Sequence, residues 1–381
     1  MRSPRTAPSP TRHGIAAAAV ALLAASFPVA ADIDPRSGID FVRITHPGNA
    51  PWMGDGTPGD RAVGRGGVNY EYSIGRFEVT TSQWAEFFNA AFDRPKEERL
   101  PHLIPPGFWG AQPTTPNTPG GLRWRVPAGN EMRPVGNISW RMAAMYCNWL
   151  HNGKSTAREA FLDGAYDVST FGYQGHSGIF TDQQTHHPDA RYWIPTWDEQ
   201  LKASHYDPAL NDGAGGWWLY NISSDTAPAY GPPGVHVRTS GLPGPDPNGP
   251  LSQANGLWNS FDFPGYDPFT VPLGAYPDVQ SPWGLLDTAG GTVEWTEEVV
   301  LVNDRYPVFR LADGTGWASG SGLTDLVTYS TGESPSFSLY DLGFRVASSV
   351  PSPGSASLML GLVVTLTRRR RAGELSLGVH P

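Results

Sequence analysis

The chain has 381 residues, of which 12% are aromatic and 17% charged, with a formal net charge of −9. That balance excludes general disorder, and the length is enough for one large domain or two ordinary ones with a sizeable core. Three arginines without an acid lie in residues 1–31, and four arginines face Glu374 in residues 351–381, so residues 32–350 alone carry about −15. A body this acidic repels nucleic-acid phosphates. Cys147 is the one cysteine, so no intramolecular disulfide can form and stability must come from packing or a bound metal.

In chain order, Arg2, Arg5 and Arg12 precede an apolar run from Ile15 to about Phe27, followed by Val29, Ala30 and Ala31. A basic start, a short apolar stretch and a small-residue exit read as a secretory signal peptide over 1–31, the run being too short for a membrane span. Tyr70 to Phe77 reads as a strand. Thr80 stands three residues before Gln83, a capping-box pattern, and Trp84, Phe87 and Phe88 form an i, i+3, i+4 stripe behind it. Ser139 can cap a second helix with Trp140, Ala143, Ala144, Cys147 and Leu150 on one side, ended by Asn152 and Gly153. His186 and His187, adjacent before Pro188 and without metal-ligand spacing, read as solvated loop residues. Thr196 and Glu199 cap a third helix that stops before Pro208. Residues 231–250 are so rich in Pro and Gly that they must form an irregular surface loop, and Phe344 to Ala347 reads as a strand. Three helices, short strands and abundant loop give an α+β fold. The tryptophans at 217, 218, 258, 283 and 317 read as plugs of a loop-rich core rather than as a carbohydrate platform.

Five segments carry a resemblance: Tyr72 to Thr80, Pro134 to Leu150, Trp193 to Glu199, Trp283 to Trp295, and Gly343 to Ala347. In this order they resemble the formylglycine-generating enzyme, or sulfatase-modifying factor, family. The resemblance implies a compact, loop-rich α+β fold, distantly similar to C-type lectins, over residues 32–350. The last 31 residues, 351–381, place Pro351 to Gly354 before a short apolar stretch and Arg368 to Arg371, and so resemble a PEP-CTERM sorting tail. Ser352 stands where that signal has Glu, and ten residues follow the arginines. Export to the surface or outer envelope of a bacterium is expected, with membrane contact only through these two ends.

Catalytic members of the family use a pair of cysteines that bind copper and activate oxygen, and Cu(I) prefers sulfur ligands. No cysteine lies between Glu294 and Gly343, where the pair belongs. Cys147, mid-helix on an apolar face, reads as an inert buried residue. Copper and formylglycine generation are therefore not expected, and a binding or structural module for a protein or extracellular polysaccharide is. The alternatives are an enzyme of divergent chemistry in the same cleft, or an oxidase acting on sulfatase cysteine.

The resemblance also implies two structural calcium sites. The first would use Asn255, the Gly256 carbonyl, Asp267 and the Phe269 carbonyl, in a loop two residues shorter than the family leads one to expect. The second would use Asp287, the Gly290 and Thr292 carbonyls, and Glu294. Calcium takes 6–8 oxygens, mixing carboxylates with carbonyls. Spacing alone reads the second set differently, with Asp287 capping a turn and Glu294 paired with an arginine.

Overall fold

The computed structural model describes residues 33–349 except 93, 115–122, 241–242 and 318–322. The expected signal peptide and sorting tail lie outside the described residues.

The three helices begin where their caps dictate. Helix α1 spans Thr81–Phe92. The Thr80 hydroxyl accepts from the Gln83 N–H at 3.3 Å, and the Thr80 N–H donates to the Gln83 side chain at 3.1 Å. Helix α2 spans Trp140–His151, with the Ser139 hydroxyl accepting from the Met142 N–H. Helix α3 spans Trp197–His205 behind the reciprocal capping box of Thr196 and Glu199. Each cap satisfies N–H groups that the first turn leaves without partners.

Two small sheets frame these helices. Strands β1 (Phe41–Ile44), β2 (Tyr72–Gly75), β3 (Tyr192–Trp193) and β8 (Ala347–Ser349) form an antiparallel sheet in the order β1-β2-β8-β3. Strands β4 (Val293–Val302), β5 (Tyr306–Asp313), β6 (Thr331–Glu333) and β7 (Leu342–Gly343) form the second, in the order β6-β5-β4-β7. Its β7–β4 pair is parallel.

Two strand expectations need correction. The stretch 344–347 is not one strand but a crossover: the chain leaves β7 in the second sheet and enters β8 in the first. Phe344 and Val346 still offer their carbonyls to the N–H groups of Val79 and Gly75. The β4–β5 hairpin, the longest in the molecule, is absent from the sequence reading. Asn303 and Asp304 turn it with φ of 54° and 53°, a conformation these two residue types tolerate. Its register shifts between Trp295 and Val299, and the irregular stretch carries Glu297 inward. Of residues 231–250, those described show only isolated bridges, as the Pro and Gly content requires.

Between the sheets and helices lies an aromatic core. Trp84 packs on Phe87 and Tyr146 at centroid distances of 4.8 and 5.6 Å, and Phe344 closes the group from the crossover. Burying each of these rings contributes roughly 1.5–3 kcal/mol. Trp258 and Trp317 are also fully buried, whereas Trp217, Trp218 and Trp283 are half-buried and hydrogen-bonded through their indole N–H groups. Among the described residues, no helix is long and apolar enough to cross a membrane.

Helix α2 is buried on every face from Trp140 to Leu150, not on one side. Its polar residues must therefore find partners inside the protein. The Arg141 guanidinium makes a two-pronged pair with Asp182, at 2.8 and 2.7 Å, and both side chains are at most 4% exposed. The Asn148 amide donates to the carbonyls of Phe161 and Tyr166 and accepts the Tyr166 N–H. Replacing Arg141 with Met leaves the Asp182 charge buried and uncompensated. Equilibrium urea unfolding should show a loss of about 3–5 kcal/mol for Arg141→Met, part of it recovered in the double variant with Asp182→Leu.

Candidate functional site

The eight residues expected to bind calcium gather on one loop system, and the structure links their two groups. Asn255 and Gly290 form a parallel bridge, with the Gly291 N–H donating to the Asn255 carbonyl at 3.0 Å. This approach requires Gly290 and Gly291. A Cβ on Gly290 would stand 2.6 Å from the Asn255 backbone, and one on Gly291 would stand 2.3 Å from the Glu78 carboxyl. Both also have positive φ, which glycine adopts without strain.

In the first group, the Asn255 side chain donates to the Pro268 carbonyl at 3.1 Å. Its Oδ1 is buried without a hydrogen-bond partner among the described residues. Such an acceptor is costly unless something fills its place. Gly256 packs so closely against Thr315 and Tyr230 that a Cβ there would clash. Asp267 is exposed, and its carboxylate caps its own turn by accepting the Phe269 N–H at 3.0 Å. Phe269 packs tilted against Phe108 and edge-on against Trp317, both at 5.3 Å between ring centroids.

In the second group, Asp287 adopts φ 53° and accepts the Gly274 N–H at 2.6 Å. Burial pushes its carboxyl up to about 6. Glu294 receives the Nε of Arg345 on both oxygens, at 2.8 and 2.9 Å, and the Gln200 amide at 3.0 Å. The pairing that spacing alone indicates for Glu294 is thus present. Glu78, which the sequence reading did not single out, completes the cluster from the loop before α1. It accepts both the N–H and the hydroxyl of Thr292, at 2.9 and 2.7 Å. Burial first, and the neighbouring Glu294 second, hold the Glu78 pKa well above the carboxylate range.

Three carboxyl groups therefore feel the single guanidinium of Arg345, an imbalance that a proton or a further cation must offset. Among the described residues, no three His, Cys, Asp or Glu side chains converge as a cation cage would. An ion in the second group would need the Gly290 and Thr292 carbonyls as well.

Residues 53–350 match the sulfatase-modifying factor enzyme 1-like domain. The chain belongs to this family. Its loop-rich α+β fold is the family's, and all five motif segments of the sequence fall within the matched residues. Among solved structures, CarF is 18% identical, with a TM-score of 0.48, over 82% of this chain and 99% of that one. Variable protein 1 of Treponema denticola is 16% identical, with a TM-score of 0.44, over 81% and 95%. PvdO from Pseudomonas aeruginosa is 15% identical, with a TM-score of 0.44, over 86% and 100%. No curated protein matches this chain.

The chain has a single cysteine. Cys147 lies fully buried in α2, and burial pushes its thiol pKa well above the ordinary value. A thiol of this kind is a poor metal ligand and nucleophile. Between Glu294 and Gly343, Asp313 and Asp325 are buried. Burial raises their pKa values to about 8 and about 6, and Tyr230 and Asn221 donate to Asp325.

The sequence reading of His186 is corrected. Its ring stacks nearly parallel on that of Trp193 at 4.6 Å, and Nδ1 meets both oxygens of Glu297 at 3.1 and 3.0 Å. The Tyr166 hydroxyl donates to the same carboxylate at 2.8 Å. Burial opposes protonation of His186, but the Glu297 hydrogen bond and charge outweigh it, and the net pKa is raised.

The carboxyl cluster makes stability pH-dependent in a defined direction. Glu78 and Glu294 both have folded pKa values above their ordinary 4.5. Such groups add stability that is complete below the unfolded pKa and lost as pH rises through the folded one. Glu78→Gln cannot ionise, and the Thr292 hydroxyl can turn to accept from the new amide. In melts from pH 4 to 9, the variant should match the native protein near pH 4 and exceed it increasingly towards neutral pH. The gain should be about 1.4 kcal/mol per pH unit until the folded pKa is passed.

Proposed function

We propose that this sulfatase-modifying-factor-like protein has given up the family's oxidase chemistry and serves as an exported binding or structural module. One observation carries the reading: the chain has a single cysteine, and it is locked inside α2. A copper centre of the family's kind needs two thiolates together, because oxygen ligands do not hold Cu(I) well. The basic, apolar and small-residue pattern of 1–31 and the arginine-ended tail of 351–381 support export and retention at the cell surface. The acidic body supports a protein or uncharged polysaccharide partner over nucleic acid.

A second reading, divergent chemistry in the same cleft, draws support from Asp313. A carboxyl raised to about 8 is largely protonated at neutral pH and can serve as a general acid. The third reading, formylglycine generation itself, is separated by a direct assay. The purified chain is incubated with a peptide carrying the sulfatase Cys-x-Pro-x-Arg motif, copper and oxygen, and aldehyde is sought by mass spectrometry. None is expected. Copper-dependent aldehyde would overturn the non-catalytic reading.

We further propose calcium as the structural cation. The unpartnered Asn255 Oδ1 and the excess of carboxyls around Arg345 support it. Asn255, Asp267 and the Gly256 and Phe269 carbonyls would serve one ion, and Asp287, Glu294 and the Gly290 and Thr292 carbonyls the other. Millimolar calcium should raise the melting midpoint by several degrees, and a chelator should reverse the shift. Asp287→Asn keeps a side-chain oxygen for the Gly274 N–H and should remove the second ion's share of the response while leaving the first ion's. A midpoint indifferent to calcium and chelator would count against both ions.

A further inference from the structure

We propose that a cleft of about 480 Å3 on the outer face of the first sheet binds a sugar that carries an oxyanion. Every strand of that sheet reaches the cleft. Ser73 of β2, Ser348 of β8 and Tyr192 of β3 stand side by side in the strand ladder, and β1 contributes Phe41. The next row, Ile74, Ala347 and Trp193, is buried in the main hydrophobic core. Successive side chains point to opposite faces of a sheet, so the row of Ser73, Ser348 and Tyr192 turns away from that core.

The turn after Ile33 crosses this outer face and makes one wall. Its Asp34 accepts from the Tyr192 hydroxyl, and the Tyr192 ring stacks on Phe41 at 6.2 Å. The floor stays open. The Ser73 hydroxyl has no hydrogen-bond partner among the described residues. That of Ser348 meets only the Ser349 carbonyl, at 3.4 Å, longer than a well-formed hydrogen bond. Arg36 and Arg191 line the cleft and are exposed, and neither guanidinium makes a hydrogen bond or ion pair among the described residues. Neighbouring arginines do: Arg43 pairs with Glu71, and Arg76 with Asp40. Asp34 is the carboxylate among the lining residues, and it is occupied by the hydroxyls of Tyr192 and Ser37, the latter at 2.6 Å. Two guanidinium groups thus face the cleft against one carboxylate.

Guanidinium forks recognise carboxylate and phosphate oxygens two at a time. Serine hydroxyls both donate and accept, which suits the hydroxyls of a sugar ring. A simple anion would leave the floor unused, and a neutral sugar would leave the arginines unused. A charged sugar uses both. A few polar groups in a concave site are enough to fix a ligand's orientation. In a chain whose residues 32–350 are strongly acidic, this cleft is a local reversal of sign. Binding here does not depend on whether the family's oxidase chemistry is lost, since no cysteine lines the cleft.

Ligand-observed NMR titrations of the purified chain test the proposal, using glucuronate, glucose 6-phosphate, neutral glucose and acetate in a buffer free of phosphate and carboxylates. At least one charged sugar should bind saturably at millimolar or lower concentration, about tenfold or more tighter than glucose or acetate. The tighter of the two identifies the head group. The double variant Arg36→Ala, Arg191→Ala should weaken that binding about tenfold or more without moving the melting midpoint, since both side chains are exposed and hold nothing else. Ser348→Ala, which takes one hydroxyl from the middle of the floor, should weaken it about fivefold. Absence of saturable binding by either charged sugar, equal binding of glucose or acetate, or indifference to either set of substitutions overturns the proposal.

Discussion

A fully buried guanidinium organises this molecule. Arg345 lies in the crossover between the two sheets, with Glu294 on its Nε and the carbonyls of Gly75, Arg76 and Leu286 on its terminal nitrogens. It thus ties the end of β2, the loop leading to the glycine pair, and the start of β4 to a single point. Burying an isolated charge costs several kcal/mol even after relaxation. The fold can hold it only because each of these segments arrives with an oxygen correctly placed. The glycine pair at 290–291 and the Glu78–Thr292 contact follow from the same convergence.

Local chemistry was what the sequence made legible. Thr80, Ser139 and Thr196 each start a helix because the cap and the residue it serves lie within three positions of one another. Relations across long separations were not. Asp182, 41 residues after Arg141, decides that α2 can be buried all round. Glu297, 111 residues after His186, turns what reads as a loop histidine into one stacked on Trp193 and hydrogen-bonded to a carboxyl group. The β4–β5 hairpin differs, because its β-branched residues Thr296, Val299, Val300 and Val302 lie just beyond the motif that ends at Trp295. The Asn303–Asp304 turn was a signal available in the sequence.

For the site itself, the motif gathered the right loops but left their electrostatics unresolved. Glu294 could be read as a cation ligand or as an arginine's partner, and the structure gives it Arg345. Glu78 escaped notice because a glutamate in a strand-exit motif looks solvated until Thr292, 214 residues on, is brought against it. What remains after these pairings is more carboxyl groups than the local guanidinium can balance if all are ionised. The carboxyl cluster thus serves the fold itself, by joining Glu78 to Thr292 and Glu294 to Arg345, whatever function the scaffold carries.

Both ends of the described chain leave from one patch. Asp34, just after the first described residue, and Ser349, the last, border the same cleft beside Tyr192. Strand β8 is interior to its sheet, hydrogen-bonded to β2 on one side and β3 on the other. A pull transmitted through residue 349 would therefore have to slide β8 lengthwise against two neighbours at once rather than peel it from an edge. Mechanical load arriving from that direction would be resisted before the helices or the carboxyl cluster felt it, and the opposite face would stay free of tension.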